Sequence, residues 1–207
     1  KHLGRAYSGR EKDLFDLEFI ARSRRFVPHF HIPLQSGCDQ VLRQMRRRYL
    51  TPLYRHRVER IRELMPHACI GADVIVGFPT ETDEYFRQSY DFIESLDLSY
   101  LHVFTYSERE NTPAAEMGVS VPPAVRAARS RALHRLGEKK RAAFYLRHQG
   151  QVREVLLESE NKEGWMFGFT DNYIKVRLPY DPHLVGTLQA VRLGPQVEDG
   201  LLDASLL

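Results

Sequence analysis

Three short polar segments carry residue types that could bind a nucleoside or an amino acid. They are Pro33–Gly37, Gly71–Glu81 and Tyr106–Arg109. Gln35 and Ser36 can each donate and accept hydrogen bonds, and Gly77 lets the backbone approach a ligand closely. Each segment includes the carboxyl end of a predicted strand, and ligands of parallel α/β folds bind at the carboxyl ends of strands. The three segments are therefore predicted to line one pocket. The alternatives are a tight strand-to-helix turn for Gly71–Glu81 and a loop with an N-cap for Pro33–Gly37.

A dense group of arginines lies just after the first segment. Its members are Arg43, Arg46, Arg47, Arg48, Arg55, Arg57, Arg60 and Arg62. Guanidinium groups match the geometry of phosphate oxygens, so clustered arginines favour contact with a nucleic-acid backbone. Arg46, Arg47 and Arg48 are candidate nucleic-acid contacts, with a solvated helix face as the alternative. The cations of the last long helix, among them Arg126 and Arg129, leave the same two interpretations open.

The chain has two cysteines, Cys38 and Cys69. Their separation matches no metal-binding motif, and a small buried apolar role is the commoner use of such a residue. No metal ligand is predicted in this chain.

Hydrophobic periodicity predicts alternating strands and helices up to about residue 148. Strands are expected at Phe30–Leu34, Cys69–Val76 and Leu101–Tyr106, the last two buried. Helices are expected at about 16–24, 39–48, 52–65, 82–96 and 123–147, with Thr51 and Thr82 as N-caps. This order predicts an α/β domain built on a parallel sheet, in residues 1–148.

The pattern changes near Gly150. Short alternating runs punctuated by Gly and Pro follow, and they predict a small antiparallel β-barrel in residues 149–207. The predicted strands are Gln151–Leu157, Trp165–Thr170, Tyr173–Leu178, Thr187–Leu193 and Gly200–Leu206. The aromatic residues Trp165, Phe167, Phe169 and Tyr173 could stack on bases, or they could fill the core, which is the commoner use.

Composition and charge fit a globular cytosolic protein. Hydrophobic residues make up 43% of the 207 residues, and no apolar run is long enough for a membrane span. Lys1–Arg10 is basic without an apolar stretch behind it, so it does not resemble a signal peptide. Residues 1–149 hold 25 Lys and Arg against 18 Asp and Glu, a net charge of +7. Residues 150–207 hold 5 Lys and Arg against 9 Asp and Glu, a net charge of −4. Any electrostatic attraction for nucleic acid should therefore lie mainly in the first part.

Taken together, the motifs resemble the radical S-adenosylmethionine (SAM) methylthiotransferases. The matching segments are His31–Gly37, Met45–Tyr49, Asp73–Glu81, Phe104–Arg109 and Thr112–Ala115. The Arg-Arg-Arg-Tyr and Tyr-Ser-Glu-Arg runs look most like the branch that acts on N6-threonylcarbamoyladenosine at position 37 of tRNA. The isopentenyladenosine branch and the branch that modifies a ribosomal protein are close relatives, and a non-catalytic RNA-binding module is a further alternative.

The resemblance implies the C-terminal part of a radical SAM barrel followed by a TRAM domain, the small β-barrel that holds the substrate macromolecule in this family. It implies a cytoplasmic enzyme that adds a methylthio group to carbon 2 of the adenosine, with SAM as methyl donor and radical source. It also implies residues near bound SAM, by motif position. These are Gln35, Ser36, Asp73, Ile75, Glu81, Tyr106 and Ser107.

The chain departs from the family in its cysteines. The family holds its radical cluster through a Cys-x-x-x-Cys-x-x-Cys motif and an auxiliary cluster through three further cysteines, and Cys38 and Cys69 replace neither set. This chain is therefore expected to be a fragment that is inactive by itself, with iron–sulfur clusters bound by the full-length enzyme.

Overall fold

The computed structural model describes residues 12–109, 111–117, 120–197 and 200–207. The expectation for Lys1–Arg10 falls outside the described residues. Contacts divide the chain into two compact units, one of residues up to 26 with 30–140, the other of 27–29 with 141–207. None of the described helices combines the length and the apolar character that crossing a bilayer requires.

A three-stranded sheet forms the frame of the first unit. Its strands are β1 (His29–His31), β2 (Cys69–Val76) and β3 (Tyr100–Thr105), in the order β1-β2-β3. Strand β3 runs parallel to β2, and Gln35 extends the first strand as a parallel bridge to Val74. The carboxyl ends of all three strands therefore meet at one edge, as the sequence predicts.

The described part of the chain contains five α-helices. They are α1 (Lys12–Arg22), α2 (Asp39–Gln44), α3 (Thr51–Leu64), α4 (Asp83–Ser95) and α5 (Pro123–His148). Thr82 caps α4 as predicted, accepting a hydrogen bond from the Tyr85 N–H at 3.1 Å. The prediction of Thr51 as a cap is wrong, because the cap position is Leu50. The Asp39 carboxylate accepts from the Thr51 N–H at 2.9 Å, so a residue distant in sequence satisfies that helix end.

The core of the first unit lies on one face of this sheet. Ile70, Val74 and Val76 of β2 are at most 1% exposed and pack with helix residues such as Val58, Ile93 and Leu133. Burying such a side chain contributes about 1.5–3 kcal/mol relative to leaving it in water.

The opposite face of the sheet is open. Asp73 and Ile75 alternate with the core residues of β2 and remain half-buried. The expectation that β3 is buried is wrong, since its side chains are half-buried or exposed and Phe104 is 52% exposed. A continuous apolar run therefore did not mean burial on both faces here.

The second unit contains a closed five-stranded barrel. Its strands are β4 (Val152–Lys162), β5 (Trp165–Thr170), β6 (Lys175–Pro179), β7 (Leu188–Gln196) and β8 (Leu202–Leu206). The ring order is β4-β5-β6-β8-β7. Four pairings are antiparallel, and β6 with β8 is parallel. Alternating directions cannot close a ring with an odd number of strands, so at least one parallel pair is a geometric necessity.

Candidate functional site

The first candidate segment is held against β2 by backbone hydrogen bonds. The Gln35 N–H donates to the Asp73 carbonyl at 2.8 Å, and the Gln35 carbonyl accepts from the Ile75 N–H at 2.9 Å. Gln35 adopts φ 71°, so the chain turns sharply where the strand ends. Its side-chain Oε1 accepts from Arg47 Nη2 at 2.8 Å. The structure thus brings Gln35, Asp73 and Ile75 together, on adjacent strands.

Ser36 lies beneath this edge rather than on it. It is fully buried, and its Oγ accepts from the Cys38 N–H at 3.2 Å. The neighbouring Gly37 N–H donates to Ser89 Oγ at 2.8 Å. A Cβ at Gly37 would meet the Ser89 carbonyl oxygen at 2.6 Å, so the turn packs directly against α4. The hydroxyl of Ser36 therefore stabilises the turn that carries Gln35.

The Gly77–Glu81 turn is anchored by a buried ion pair. Glu81 Oε2 accepts from the Gly77 N–H and from Arg129 Nη1, both at 2.7 Å. The side chains of Glu81 and Arg129 are 2% and 6% exposed. Burial raises the pKa of Glu81, while the Gly77 N–H and the Arg129 guanidinium oppose that rise. Since Oε2 is already engaged twice, the role that Glu81 plays in the described residues is to fix the turn after β2.

The third segment is braced by a second arginine. Arg126 donates to the Tyr106 carbonyl at 3.0 Å, and its Nη2 lies 2.7 Å from Glu108 Oε1. Its aliphatic stem fills the space beside Gly77, where a Cβ would meet Cγ of Arg126 at 2.5 Å. This contact explains the glycine, which also adopts φ 76°.

Tyr106 and Ser107 behave differently at the end of β3. The Tyr106 ring packs edge-on against Phe78 with centroids 5.5 Å apart. Its hydroxyl is buried, with no hydrogen-bond partner among the described residues. Ser107 is exposed. An unpaired buried hydroxyl at a strand end is a group that a polar ligand could satisfy.

Across the open face of the sheet runs a hydrogen-bonded chain of side chains that sequence reasoning did not single out. His31 Nε2 lies 2.8 Å from Asp73 Oδ1, and His31 Nδ1 lies 3.2 Å from the Tyr100 hydroxyl. The His102 ring lies beside His31, with centroids 5.4 Å apart. The signal available in the sequence was His31 at the start of the family motif, two residues before Pro33.

Arg126 and Arg129 differ from the sequence-based expectation. The sequence predicts a phosphate track or a solvated face for the cations of the last long helix, which include both residues. Their side chains are 12% and 6% exposed and clamp the strand-end turns. Neither original interpretation fits them, because both are engaged within the first unit.

The candidate nucleic-acid residues Arg46, Arg47 and Arg48 are all exposed. Arg46 adopts φ 55° just after α2, which ends the helix earlier than expected and turns the three side chains out of the helical pattern. Their contact with RNA stays a prediction.

A groove of about 550 Å³ lies between α4 and the start of α5. Phe86, Tyr90, Val125 and Ala128 contribute its apolar wall. None of the seven predicted cofactor residues lines it, so it is separate from the strand-end site.

One outer face of the barrel combines aromatic rings with cations. Lys175 Nζ lies 5.3 Å from the Phe167 ring centroid, and the Arg177 guanidinium lies 4.4 Å from that of Trp165. The residues that alternate with them, among them Met166 and Val176, fill the interior. Trp165, Phe169 and Tyr173 remain partly exposed, whereas Phe167 is buried at 8% exposure, so the four aromatics do not share one role.

The described residues suit the two implied cofactors unequally. For SAM, the open sheet face offers the Asp73 carboxylate, which is 22% exposed, beside half-buried Ile75. For an iron–sulfur cluster, both cysteines are buried. Within the described ranges no group of three His, Cys, Asp or Glu side chains is arranged to hold a metal. The residues present fit SAM and do not fit a cluster.

Comparison with known proteins confirms the resemblance. The model of the Radical SAM superfamily matches residues 11–93. The threonylcarbamoyladenosine tRNA methylthiotransferase MtaB of Rickettsia prowazekii is 42% identical over 168 residues, covering 81% of this chain and 38% of its own length. The protein of the same name from Bacillus subtilis is 37% identical over 181 residues, covering 86% and 40%.

A second group of relatives matches at lower identity. The tRNA-2-methylthio-N(6)-dimethylallyladenosine synthase of Bacillus subtilis is 33% identical over 193 residues, covering 92% of this chain and 38% of its own length. The chain therefore spans about two fifths of the length of the curated relatives it matches.

Proposed function

We propose that this chain, a relative of the radical SAM methylthiotransferases, belongs to an enzyme that adds a methylthio group to carbon 2 of N6-threonylcarbamoyladenosine at position 37 of tRNA. The observation that carries the proposal is the identity of 37–42% to proteins named threonylcarbamoyladenosine tRNA methylthiotransferase. Identity to proteins named tRNA-2-methylthio-N(6)-dimethylallyladenosine synthase is 33–35%. We expect the enzyme to act in the cytoplasm, where tRNA is modified.

The open sheet face and the strand ends would form one side of the SAM site. Asp73 and Gln35 supply hydrogen-bonding groups there, and Ile75 supplies apolar surface. The Tyr106 hydroxyl and exposed Ser107 extend the same edge. When bound, SAM supplies the methyl group and the radical chemistry of the family. The chain's own residues orient it and keep water away.

Ser36 and Glu81 would support this site from below. Both side chains are buried and hold the turns that place Gln35 and Gly77. Ser36 and Glu81 would therefore act on SAM indirectly, by holding the backbone turns that approach it. Iron–sulfur clusters of the complete enzyme would need ligands outside the residues described here.

Two surfaces would contact tRNA, one in each unit. In the first, Arg46, Arg47 and Arg48 present exposed guanidinium groups that suit phosphates. In the second, Lys175 and Arg177 lie over aromatic rings on one face of the barrel. Cations next to rings favour single-stranded nucleic acid, whose phosphates and bases need both kinds of group.

Mass spectrometry of tRNA nucleosides tests the proposed reaction. A strain that lacks the gene encoding this chain should lose the methylthio form of N6-threonylcarbamoyladenosine, and returning the gene should restore it. A gene altered to Arg46→Ala, Arg47→Ala and Arg48→Ala should restore it poorly. Loss of the methylthio isopentenyl nucleoside instead, or of a modified ribosomal peptide with tRNA unchanged, would assign the enzyme to a different branch.

A non-catalytic RNA-binding role is the second candidate, favoured by the aromatic and cationic face of the barrel. It predicts tRNA binding that weakens steeply with salt. Filter binding with Lys175→Ala and Arg177→Ala should show weaker affinity than wild type. The matched control is Arg192→Ala, an exposed cation of β7, whose cross-strand partners are Val152 and Ser205 rather than residues of β5 or β6. Equal affinity for all three variants, or no binding at low salt, would remove this candidate.

A further inference from the structure

One side chain from each strand of the sheet contributes to a single hydrogen-bonded chain on the open face. His31 comes from β1, Asp73 from β2 and Tyr100 from β3. The contacts are 2.8 Å from His31 Nε2 to Asp73 Oδ1 and 3.2 Å from His31 Nδ1 to the Tyr100 hydroxyl. The face is accessible, since the His31 and Asp73 side chains are 33% and 22% exposed.

The position of Tyr100 depends on a glycine opposite it in the sheet. Gly71 pairs with Tyr100 in the parallel register, and a Cβ at Gly71 would lie 2.0 Å from the tyrosine ring. The ring therefore occupies the space that a side chain on β2 would fill. Its hydroxyl reaches across β2 to His31 as a result.

The two partners of His31 suit one tautomer of the neutral imidazole. Asp73, as a carboxylate, only accepts hydrogen bonds, so Nε2 carries the proton. Nδ1 is then an acceptor, and the Tyr100 hydroxyl donates to it. With Oδ1 occupied, Asp73 Oδ2 has no hydrogen-bond partner among the described residues.

We propose that His31 is a positioning residue, which holds the Asp73 carboxylate so that Oδ2 accepts a hydrogen bond from SAM. Tyr100 does not contact Asp73 in this arrangement and instead orients the His31 imidazole through its hydroxyl. The donor on SAM is its ammonium group or a ribose hydroxyl, since these are the groups that a carboxylate recognises. The inference rests on the proposed function, because it takes the open face as the SAM site.

Equilibrium dialysis with labelled SAM tests this on the purified full-length protein that contains the chain. A charge-assisted hydrogen bond makes a large contribution, so we expect Asp73→Asn to weaken SAM binding by about tenfold or more. His31→Ala should weaken it by about three- to tenfold. His31→Gln should stay near wild type, because its amide N–H can replace Nε2–H. Tyr100→Phe should have the smallest effect of the set.

The control is His102→Ala, which removes a neighbouring imidazole that has no hydrogen bond to Asp73. It should bind SAM within about twofold of wild type, since no hydrogen bond to the carboxylate is lost. Denaturation midpoints of all variants separate positioning from lost stability. Repeating the series with methylthioadenosine and with methionine identifies the donor, because only the first has the ribose and only the second has the ammonium group.

Nitrogen-15 NMR of His31 gives a readout independent of binding, and should show the proton on Nε2. A proton on Nδ1 would overturn the arrangement, and so would SAM affinity of wild-type strength in His31→Ala. Wild-type protein that binds no SAM would instead refute the proposed function, and this inference with it.

Discussion

Replacing Arg129 by methionine should cost more stability than replacing any exposed arginine of α5. Arg129 Nη1 donates to Glu81 Oε2 at 2.7 Å and to the Glu81 carbonyl at 3.0 Å. Its contact with Asp83 matters less, because that carboxylate is 89% exposed. Removing one partner of a buried pair leaves the other charge uncompensated, at about 3–5 kcal/mol. We expect about 3 kcal/mol, because the Gly77 N–H still binds the Glu81 carboxylate.

The loss should depend on pH. Burial raises the pKa of Glu81 in the folded protein. Arg129 lowers it, so the variant should raise the pKa further. A carboxyl whose pKa is raised by folding binds its proton more tightly in the folded state, so stability falls as pH rises through that pKa. The deficit of Arg129→Met should therefore be smaller at about pH 5 than at about pH 8.

Urea unfolding followed by helical circular dichroism measures the effect, since the long helices lie largely in the first unit. The fluorescence of Trp165 reports the barrel separately and should change little. Arg131→Met is the matched control, an exposed residue of the same helix. The double variant Arg129→Met with Glu81→Gln should recover part of the loss. A deficit below about 1 kcal/mol, no pH dependence and no recovery would refute the assignment of a buried pair.

Further predictions concern four single residues. Gly77→Ala should cost about 2–4 kcal/mol in urea unfolding, from positive φ and collision with Arg126. Gly150 also has a positive φ, but an added Cβ there would meet no atom within 4 Å, so Gly150→Ala should cost only about 1 kcal/mol. Burial raises the pKa of Cys69 to about 12, so iodoacetamide at mildly alkaline pH should leave it unlabelled until urea is added; labelling in the native protein would contradict its burial. Tyr106→Phe should leave stability within about 0.5 kcal/mol, because the buried hydroxyl has no partner in the described chain. It should weaken SAM binding if that hydroxyl meets the cofactor.

The elements that sequence predicted well have a strong local signal. Strand β2 was predicted with its observed bounds, because an eight-residue apolar run beside turn residues has few other interpretations. Thr82 was predicted as a cap for the same kind of local reason. All five strands of the barrel were predicted, four of them to within three residues, since alternating runs were separated by Gly and Pro; β4 extends five residues beyond its predicted end.

What the sequence did not predict depends on distant partners. Arg129 and Arg131 are arginines of the same helix and look alike in the sequence. In the structure Arg129 forms a buried ion pair with Glu81, which is 48 residues away, and Arg131 is exposed. The capping of α3 by Asp39 depends in the same way on a side chain from another helix. The His31–Asp73–Tyr100 hydrogen bonds depend on how the three strands are aligned with one another, and that alignment cannot be read from a single sequence. The contact of the seven predicted residues with SAM stays a prediction.

The closed ring of the barrel limits how it can recognise a partner. Every one of its five strands has a neighbour on both sides, so the described strands offer no row of unpaired N–H and C=O groups. A polypeptide therefore cannot dock by adding a sixth strand, which is a common way for sheets to capture extended peptides. Selectivity in this unit must come from side chains that project outward and from the connecting turns. Evolution of a new specificity can thus change those positions while the hydrogen-bonded ring stays the same.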